Sequence, residues 1–153
     1  MSDAIRIVPL AARHRADWER LYAGYAEFYR VTQTPEMRAT VWGWIMDPGH
    51  EVKAFVAEDA SGRAVGLAHW RPFARPLAAS TGCYLDDLFV APEARGMRVG
   101  EALIAALTEE GQRRGWSVIR WITADDNYRA RTAYDRLATR TMWITYDRKI
   151  PPG

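Results

Sequence analysis

The chain has 153 residues, 48% of them hydrophobic, with 21 Lys and Arg against 19 Asp and Glu for a formal charge of +2. That is enough chain for one globular domain with its own core, and too little positive charge to neutralise a run of nucleic-acid phosphates. The single cysteine, Cys83, excludes an intrachain disulfide and any multi-cysteine metal site, and the opening "MSDAIRIVPL" carries Asp3 and Arg6 with no long apolar run, so neither a secretory signal nor a membrane span is expected and the cytosol is the expected compartment.

Ile5 to Leu10 reads as a short strand closed by Pro9. Between Arg13 and Arg30 the residues Trp18, Leu21, Tyr22, Tyr25, Phe28 and Tyr29 recur at helical spacing and form an aromatic stripe on one face. Thr34 ahead of Pro35 and Glu36 opens a second helix, with Val41, Trp42 and Ile45 as its apolar set and "DPGH" as its stop. The period then becomes two: Val52 to Glu58, the turn "DASGR" and Ala64 to Phe73 read as a hairpin, and Cys83 to Val90 as a further strand with a buried thiol. Val99, Leu103, Ala106 and Leu107 share one face of the next helix, Glu109 with Arg113 and Glu110 with Arg114 pair on its outside, and Gly115 stops it. A strand from Ser117 to Thr123, a short helix from Asn127 to Ala138 and a last strand from Thr141 to Lys149 complete the chain. The order predicts one domain, residues 1–153, of the α/β (α+β) class, with a mixed sheet and helices on both faces.

The stretch "APEARGMRVGEAL", residues 91 to 103, joins the strand ending at Val90 to the helix. Unpaired N–H groups and the helix dipole converge at such a point and favour phosphate or carboxylate. Gly96 can take a positive φ, and Gly100 in the first turn removes a Cβ where a ligand would approach the backbone, at about 1 kcal/mol of helix propensity. A turn with Gly and Arg is also an ordinary solvated turn, so both readings stand at this point. A P-loop is excluded because Glu101 and Ala102 follow Gly100 in place of Lys and Ser or Thr. A dinucleotide fingerprint is excluded by glycine spacing and position.

The segment "LDDLFVAPEARGMRVGEALIAAL", with "TADDNYRARTAYDRLA" about two dozen residues later, resembles the GCN5-related N-acetyltransferases, and within them is most similar to the diamine acetyltransferase-like branch. Arg95 and Gly100 match the signature R/Q-x-x-G-x-G/A, whereas Arg98 stands where the first glycine usually does; a helical φ is open to arginine, and its guanidinium can add a contact to a phosphate. The resemblance implies a mostly antiparallel sheet of six to seven strands and acetyl-CoA as co-substrate, with no metal. It implies that Arg95, Gly96, Met97, Arg98, Val99, Gly100 and Glu101 cradle the pyrophosphate. The strand backbone at Leu88, Phe89 and Val90 would meet the thioester carbonyl, and Asn127 and Ala130 the pantetheine arm.

Acetyl transfer to an amine needs a deprotonated amine, a polarised carbonyl and an acid for the departing thiolate. The resemblance assigns the acid to Tyr134, two helical turns after Asn127, and the acceptor side to the adjacent Asp86 and Asp87, with Asp86 matching the base and Asp87 the acceptor-binding partner. Strand alternation sends the two acids to opposite faces, Asp87 with Leu85 and Phe89, and Asp86 with Tyr84, Leu88 and Val90; either acid can instead pair with Arg71, Arg75 or Arg120. His69 is either a proton carrier or a structural strand histidine, and His14 and His50 read as surface residues. Tyr25, Glu27 and Tyr29, with Phe28 and Trp42, are expected to wall a site for a cationic amine. The expected function is acetyl-CoA-dependent N-acetylation of a small primary amine, polyamine- or amino-acid-like, in a ternary complex. The alternatives are acetylation of a protein or peptide amine, and a non-catalytic acetyl-CoA-binding module. Family resemblance further implies a homodimer; the small net charge and the lack of a long apolar run predict no nucleic-acid or membrane partner.

Overall fold

Five strands lie side by side in chain order: β1 (Arg6–Pro9), β2 (Lys53–Glu58), β3 (Ala64–Arg75), β4 (Ser80–Val90) and β5 (Ile119–Arg120). The first four are antiparallel and β5 joins β4 in parallel. The computed structural model describes residues 4–96 and 98–153. Residues up to Ile122 form one compact unit and Thr123–Gly153 a second.

In the first unit, helices cover both faces of the sheet. Helix α1 (Arg15–Phe28) and α2 (Pro35–Met46) bring Trp18, Leu21 and Ile45 against Val56, Leu67 and Phe89. Thr34 caps α2 as its sequence signature predicts, its hydroxyl accepting the Met37 N–H at 3.1 Å. Helix α3 (Val99–Arg114) packs across β2, β3 and β4 and ends at Gly115 as predicted. Its start sits hard against the sheet because Gly66 has no side chain: a Cβ there would lie 2.8 Å from Val99 Cγ1.

Two irregularities shape the sheet. Between β3 and β4, Trp70 stands opposite Leu85 and His69 opposite Asp87, so Asp86 is an extra residue with no counterpart, a β-bulge. Between β2 and β3, the step from Ala57↔Gly66 to Glu58↔Ala64 bulges Val65 in the same way. Glu58 is fully buried there, and His14, expected at the surface, is buried beside it, 2.6 Å away through Nε2.

The described residues form five strands, not the six to seven expected. Thr141–Lys149 does not form a strand: a strand requires a neighbour to take its N–H and C=O groups, and the only regular element of its unit is a helix, α4 (Tyr128–Leu137). The predicted strand Ser117–Thr123 shortens to Ile119–Arg120, where its pairing with Cys83 and Tyr84 begins and ends. On α3, Glu110 takes both Arg113 and Arg114, replacing the predicted Glu109–Arg113 pair. Cys83 is buried, and burial pushes its thiol up to about 12. No helix among the described residues is long and apolar enough to cross a membrane.

Candidate active site

The bulge at Asp86 decides where the two acids go. His69 and Trp70 are consecutive on β3 and face opposite sides, so Leu85, opposite Trp70, and Asp87, opposite His69, also face opposite sides. The expected grouping of Asp87 with Leu85 is therefore wrong, because the extra residue shifts the alternation by one; the grouping with Phe89 holds. Asp87 lies on the α1 side. Its Oδ2 accepts the Tyr22 hydroxyl at 3.1 Å and lies 2.8 Å from His69 Nδ1. Trp18 Nε1 donates to the other ring nitrogen of His69, Nε2, at 2.9 Å, and Trp18 and His69 are both buried. The Tyr25 hydroxyl helps hold the charge of Asp87, and its ring meets Phe89 edge-on with centroids 6.0 Å apart.

Burial alone would raise Asp87, but hydrogen bonds from His69, Tyr22 and Tyr25 overcome it and hold the carboxyl below its usual value. Burial, then the charge of Asp87, drives the Tyr22 and Tyr25 phenols far upward, so both remain protonated donors. Asp86 does not take the face opposite Asp87. Its carboxylate accepts from Arg71 Nε at 3.0 Å, Arg71 shares the His69 face of β3, and the Arg71 guanidinium lies over the Tyr84 ring. Burial raises the Asp86 carboxyl, Arg71 opposes that, and the charge of Asp87 adds to the rise. Two neighbouring acids thus differ: Asp87 is held below its usual value by its hydrogen-bond donors, and Asp86 is raised by burial beside Arg71.

Beyond Tyr84 no residue of β5 pairs with β4, so the edge carrying Leu88, Phe89 and Val90 runs on past the last β5 pair. After Val90 a 3₁₀ turn, Pro92–Ala94, leads to Gly96 at φ +91° and Arg98 at φ +58°, ψ 31°. Arg98 is thus left-handed, although a helical φ is open to arginine. The chain must reverse there to enter α3 immediately, and that conformation costs a side-chain-bearing residue about 1 kcal/mol. Its guanidinium is 74% exposed and donates to Glu101 Oε2 at 3.4 Å. The first hydrogen bond inside α3 runs from Ala102 N–H to Arg98 C=O, so the N–H groups of Val99 and Gly100 precede the ladder. A Cβ on Gly100 would meet nothing closer than 3.8 Å, so packing does not demand glycine there. Met97 lies outside the described residues.

A groove of about 440 Å³ opens between α1 and the end of β4, lined by Gly24, Glu27, Phe28, Phe89 and Arg95 among others. Arg95 spans it, donating to Val90 C=O at 3.3 Å with its guanidinium over the Phe28 and Phe89 rings. Of the expected acceptor residues, Tyr25 reaches Asp87, Glu27 lines this groove, and Tyr29 follows α1 with its ring 4.9 Å from that of Tyr25.

In the second unit, Asn127 caps α4: its side-chain oxygen accepts the Ala130 N–H at 3.5 Å and its amide donates to Thr123 Oγ1 at 3.4 Å. Tyr134 lies two turns along the same helix. The residues that sequence reasoning left out of the site are Trp18, Tyr22 and Arg71, and His69 was left undecided. Their signal was present as Trp18 and Tyr22 four apart in the aromatic stripe, but the bulge that brings them to the acids has no sequence signature.

The family model described as "Acetyltransferase (GNAT) family" matches residues 18–138, across both units. The chain belongs to that family and is an acyltransferase. It is 26% identical over 149 residues to the D-amino-acid N-acetyltransferase HPA3 of Saccharomyces cerevisiae (strain ATCC 204508 / S288c), covering 97% of this chain and 92% of that protein. It is 29% identical over 104 residues to an uncharacterized N-acetyltransferase of Schizosaccharomyces pombe (strain 972 / ATCC 24843), covering 68% and 61%. Among solved structures, aminoglycoside N-acetyltransferase AAC(6')-Iy in complex with CoA superposes with a TM-score of 0.83 at 20% identity over 97% of each chain. Ribosomal-protein-alanine N-acetyltransferase of Brucella melitensis biovar Abortus 2308 does so at 0.77 and 21%, over 96% of this chain and all of that one. These two likenesses establish the fold.

Proposed function

We propose that this chain transfers the acetyl group of acetyl-CoA to a primary amine of a small molecule, polyamine- or amino-acid-like, by direct attack in a ternary complex. The observation that carries the reading is a single strand, β4, with a fixed carboxylate among aromatic rings at Asp87 and an anion-favouring helix start directly after its end. Asp87 binds the acceptor's ammonium, and Tyr25, Glu27 and Tyr29 wall its approach. Asp86, whose carboxyl burial raises, takes the amine proton through water.

The N–H groups of Val99 and Gly100, with Arg95, Gly96, Met97, Arg98 and Glu101, hold the pyrophosphate; the open space at Gly100 fits that use. The bound thioester supplies an activated acyl group. Leu88, Phe89 and Val90 present backbone to its carbonyl, Asn127 and Ala130 steady the pantetheine arm, and Tyr134 protonates the departing sulfur. The "DDLFV" and "ARGMRVG" stretches support the diamine acetyltransferase-like branch, and the name of the yeast relative, a D-amino-acid N-acetyltransferase, supports an amino-acid-like acceptor. One domain over residues 1–153, a homodimer and the cytosol complete the proposal.

Free-thiol release from acetyl-CoA, measured across a panel of diamines, D-amino acids and L-amino acids, tests the reaction. Release should depend on the amine and fall at least about tenfold in Tyr134→Phe, as loss of a general acid requires. Binding of acetyl-CoA with no release for any amine would leave a non-catalytic module, and absence of binding would remove the cradle.

Arg98→Gly separates backbone from side chain. Glycine relieves about 1 kcal/mol of left-handed strain but adds about 0.4–1 kcal/mol of entropy to the unfolded chain, so stability should rise by no more than about 0.6 kcal/mol. Acetyl-CoA should bind about threefold more weakly in calorimetric titration, because a phosphate contact from the guanidinium is lost. Unchanged or tighter binding would show that the arginine makes no such contact.

A further inference from the structure

We propose that Trp18 and His69 are positioning residues for the acceptor amine: Trp18 sets the tautomer of His69, and His69 in turn orients the Asp87 carboxylate. The inference rests on the acceptor-binding role of Asp87 given above. The indole nitrogen of Trp18 can only donate, and it points at His69 Nε2 from 2.9 Å, so Nε2 offers its lone pair. The single ring proton of His69 is then on Nδ1, 2.8 Å from Asp87 Oδ2, and donates to it. A proton added at Nε2 would face the indole N–H and break the Trp18 bond. His69 is therefore a fixed donor rather than the proton carrier its position suggests.

Each link in this chain is anchored. Trp18 is completely buried, with its ring against Tyr22 and Trp42, and His69 is 1% exposed with the Tyr22 ring edge-on at 4.6 Å. Tyr22 donates to the same Oδ2, so two donors from two elements hold one carboxylate oxygen and set the plane of the group. An ammonium bound to Asp87 meets a carboxylate that has already lost its rotational freedom, which strengthens binding without any contact from His69 to the acceptor.

Nitrogen-15 NMR of the imidazole in the intact protein at neutral pH reads the tautomer directly. Nδ1 should be protonated and Nε2 unprotonated, and Trp18→Phe should convert the signal to a mixture of the two tautomers. An Nε2–H or doubly protonated ring in the native protein would overturn the proposal. Two variants then separate the two ring nitrogens. His69→Asn keeps a donor where Nδ1 stood, while His69→Gln keeps an acceptor for Trp18 but removes the donor to Asp87.

With an amine found by thiol release, His69→Gln should raise the acceptor KM about tenfold with the acetyl-CoA KM unchanged, and His69→Asn should stay within about threefold of native. Equal defects in the two variants, or a defect confined to kcat and the acetyl-CoA KM, would reduce His69 to a packing role. If the native protein acetylates no amine, the proposed function fails and the positioning role falls with it. A wrong tautomer in an active enzyme overturns the positioning role alone.

Discussion

Asp87→Asn should lower kcat/KM for the acceptor amine about a hundredfold, chiefly through KM, while acetyl-CoA binds as in the native protein. Asparagine has the shape of aspartate and keeps an oxygen for the donors His69 and Tyr22, so the aromatic site stays assembled. What it removes is the charge. An ammonium that leaves water for the proposed site beside Tyr25, Glu27 and Tyr29 needs a fixed anion in compensation, and loss of one partner of a desolvated charge pair costs about 2–5 kcal/mol. About a hundredfold corresponds to roughly 2.7 kcal/mol, at the low end of that range. Asp86→Asn should act differently, lowering kcat more than KM, if Asp86 takes the amine proton as proposed instead of holding the cation. Steady-state kinetics of the two variants with one amine decide the matter. Native acceptor kinetics in Asp87→Asn would place the ammonium elsewhere.

Glu58→Ala should destabilise the protein by about 1–3 kcal/mol, the cost of leaving a buried donor without its acceptor. One buried carboxylate collects three cationic or donor groups: Arg6 Nη2 at 2.9 Å, Arg13 Nη1 at 2.5 Å and His14 Nε2 at 2.6 Å. His14 accepts the Ala11 N–H on Nδ1, so its proton sits on Nε2 and goes to Glu58. Deleting the carboxylate strands that buried imidazole and breaks the tie between β1, the turn before α1 and the end of β2. Arg6→Ala and Arg13→Ala should each cost less than about 1 kcal/mol, because both side chains are more than half exposed and the carboxylate keeps its other partners.

The pH dependence follows with its sign. Hydrogen bonds from His14, Arg13 and Arg6 hold Glu58 at about 2, against an ordinary value near 4.5. The stability it contributes is complete above the ordinary value and is lost as pH falls from there through about 2. Chemical denaturation across that range should show a loss in the native protein that is absent from Glu58→Ala. Parallel curves for the two would assign acid unfolding to other groups.

The elements were legible where one local signal defined them. The aromatic spacing from Trp18 to Tyr29 specified α1 and its buried face, Thr34 with Pro35 the start of α2, and the change to period two the hairpin of β2 and β3. The β4-to-α3 passage was legible for the same reason: a strand, a glycine-bearing turn and a helix of one apolar face follow each other without a gap. Local pattern failed at Thr141–Lys149, where an alternating segment has no strand in its own unit to complete its hydrogen bonds.

The site divided along the same line. Residue types and order along the chain were enough to name the family, because a contiguous motif carries its signature in its own residues. The face each acid occupies was not legible there, because the extra residue at Asp86 exists only relative to β3, and one unpaired position reverses the alternation behind it. Nor were the partners of those acids: His69 and Asp87 are 18 residues apart, Tyr22 and Asp87 are 65 apart, and Trp18 and His69 are 51 apart. Their protonation states are properties of contacts that folding alone brings about. The chain order thus says which groups are present, and packing across the sheet holds one carboxyl below its usual value and raises its neighbour above it.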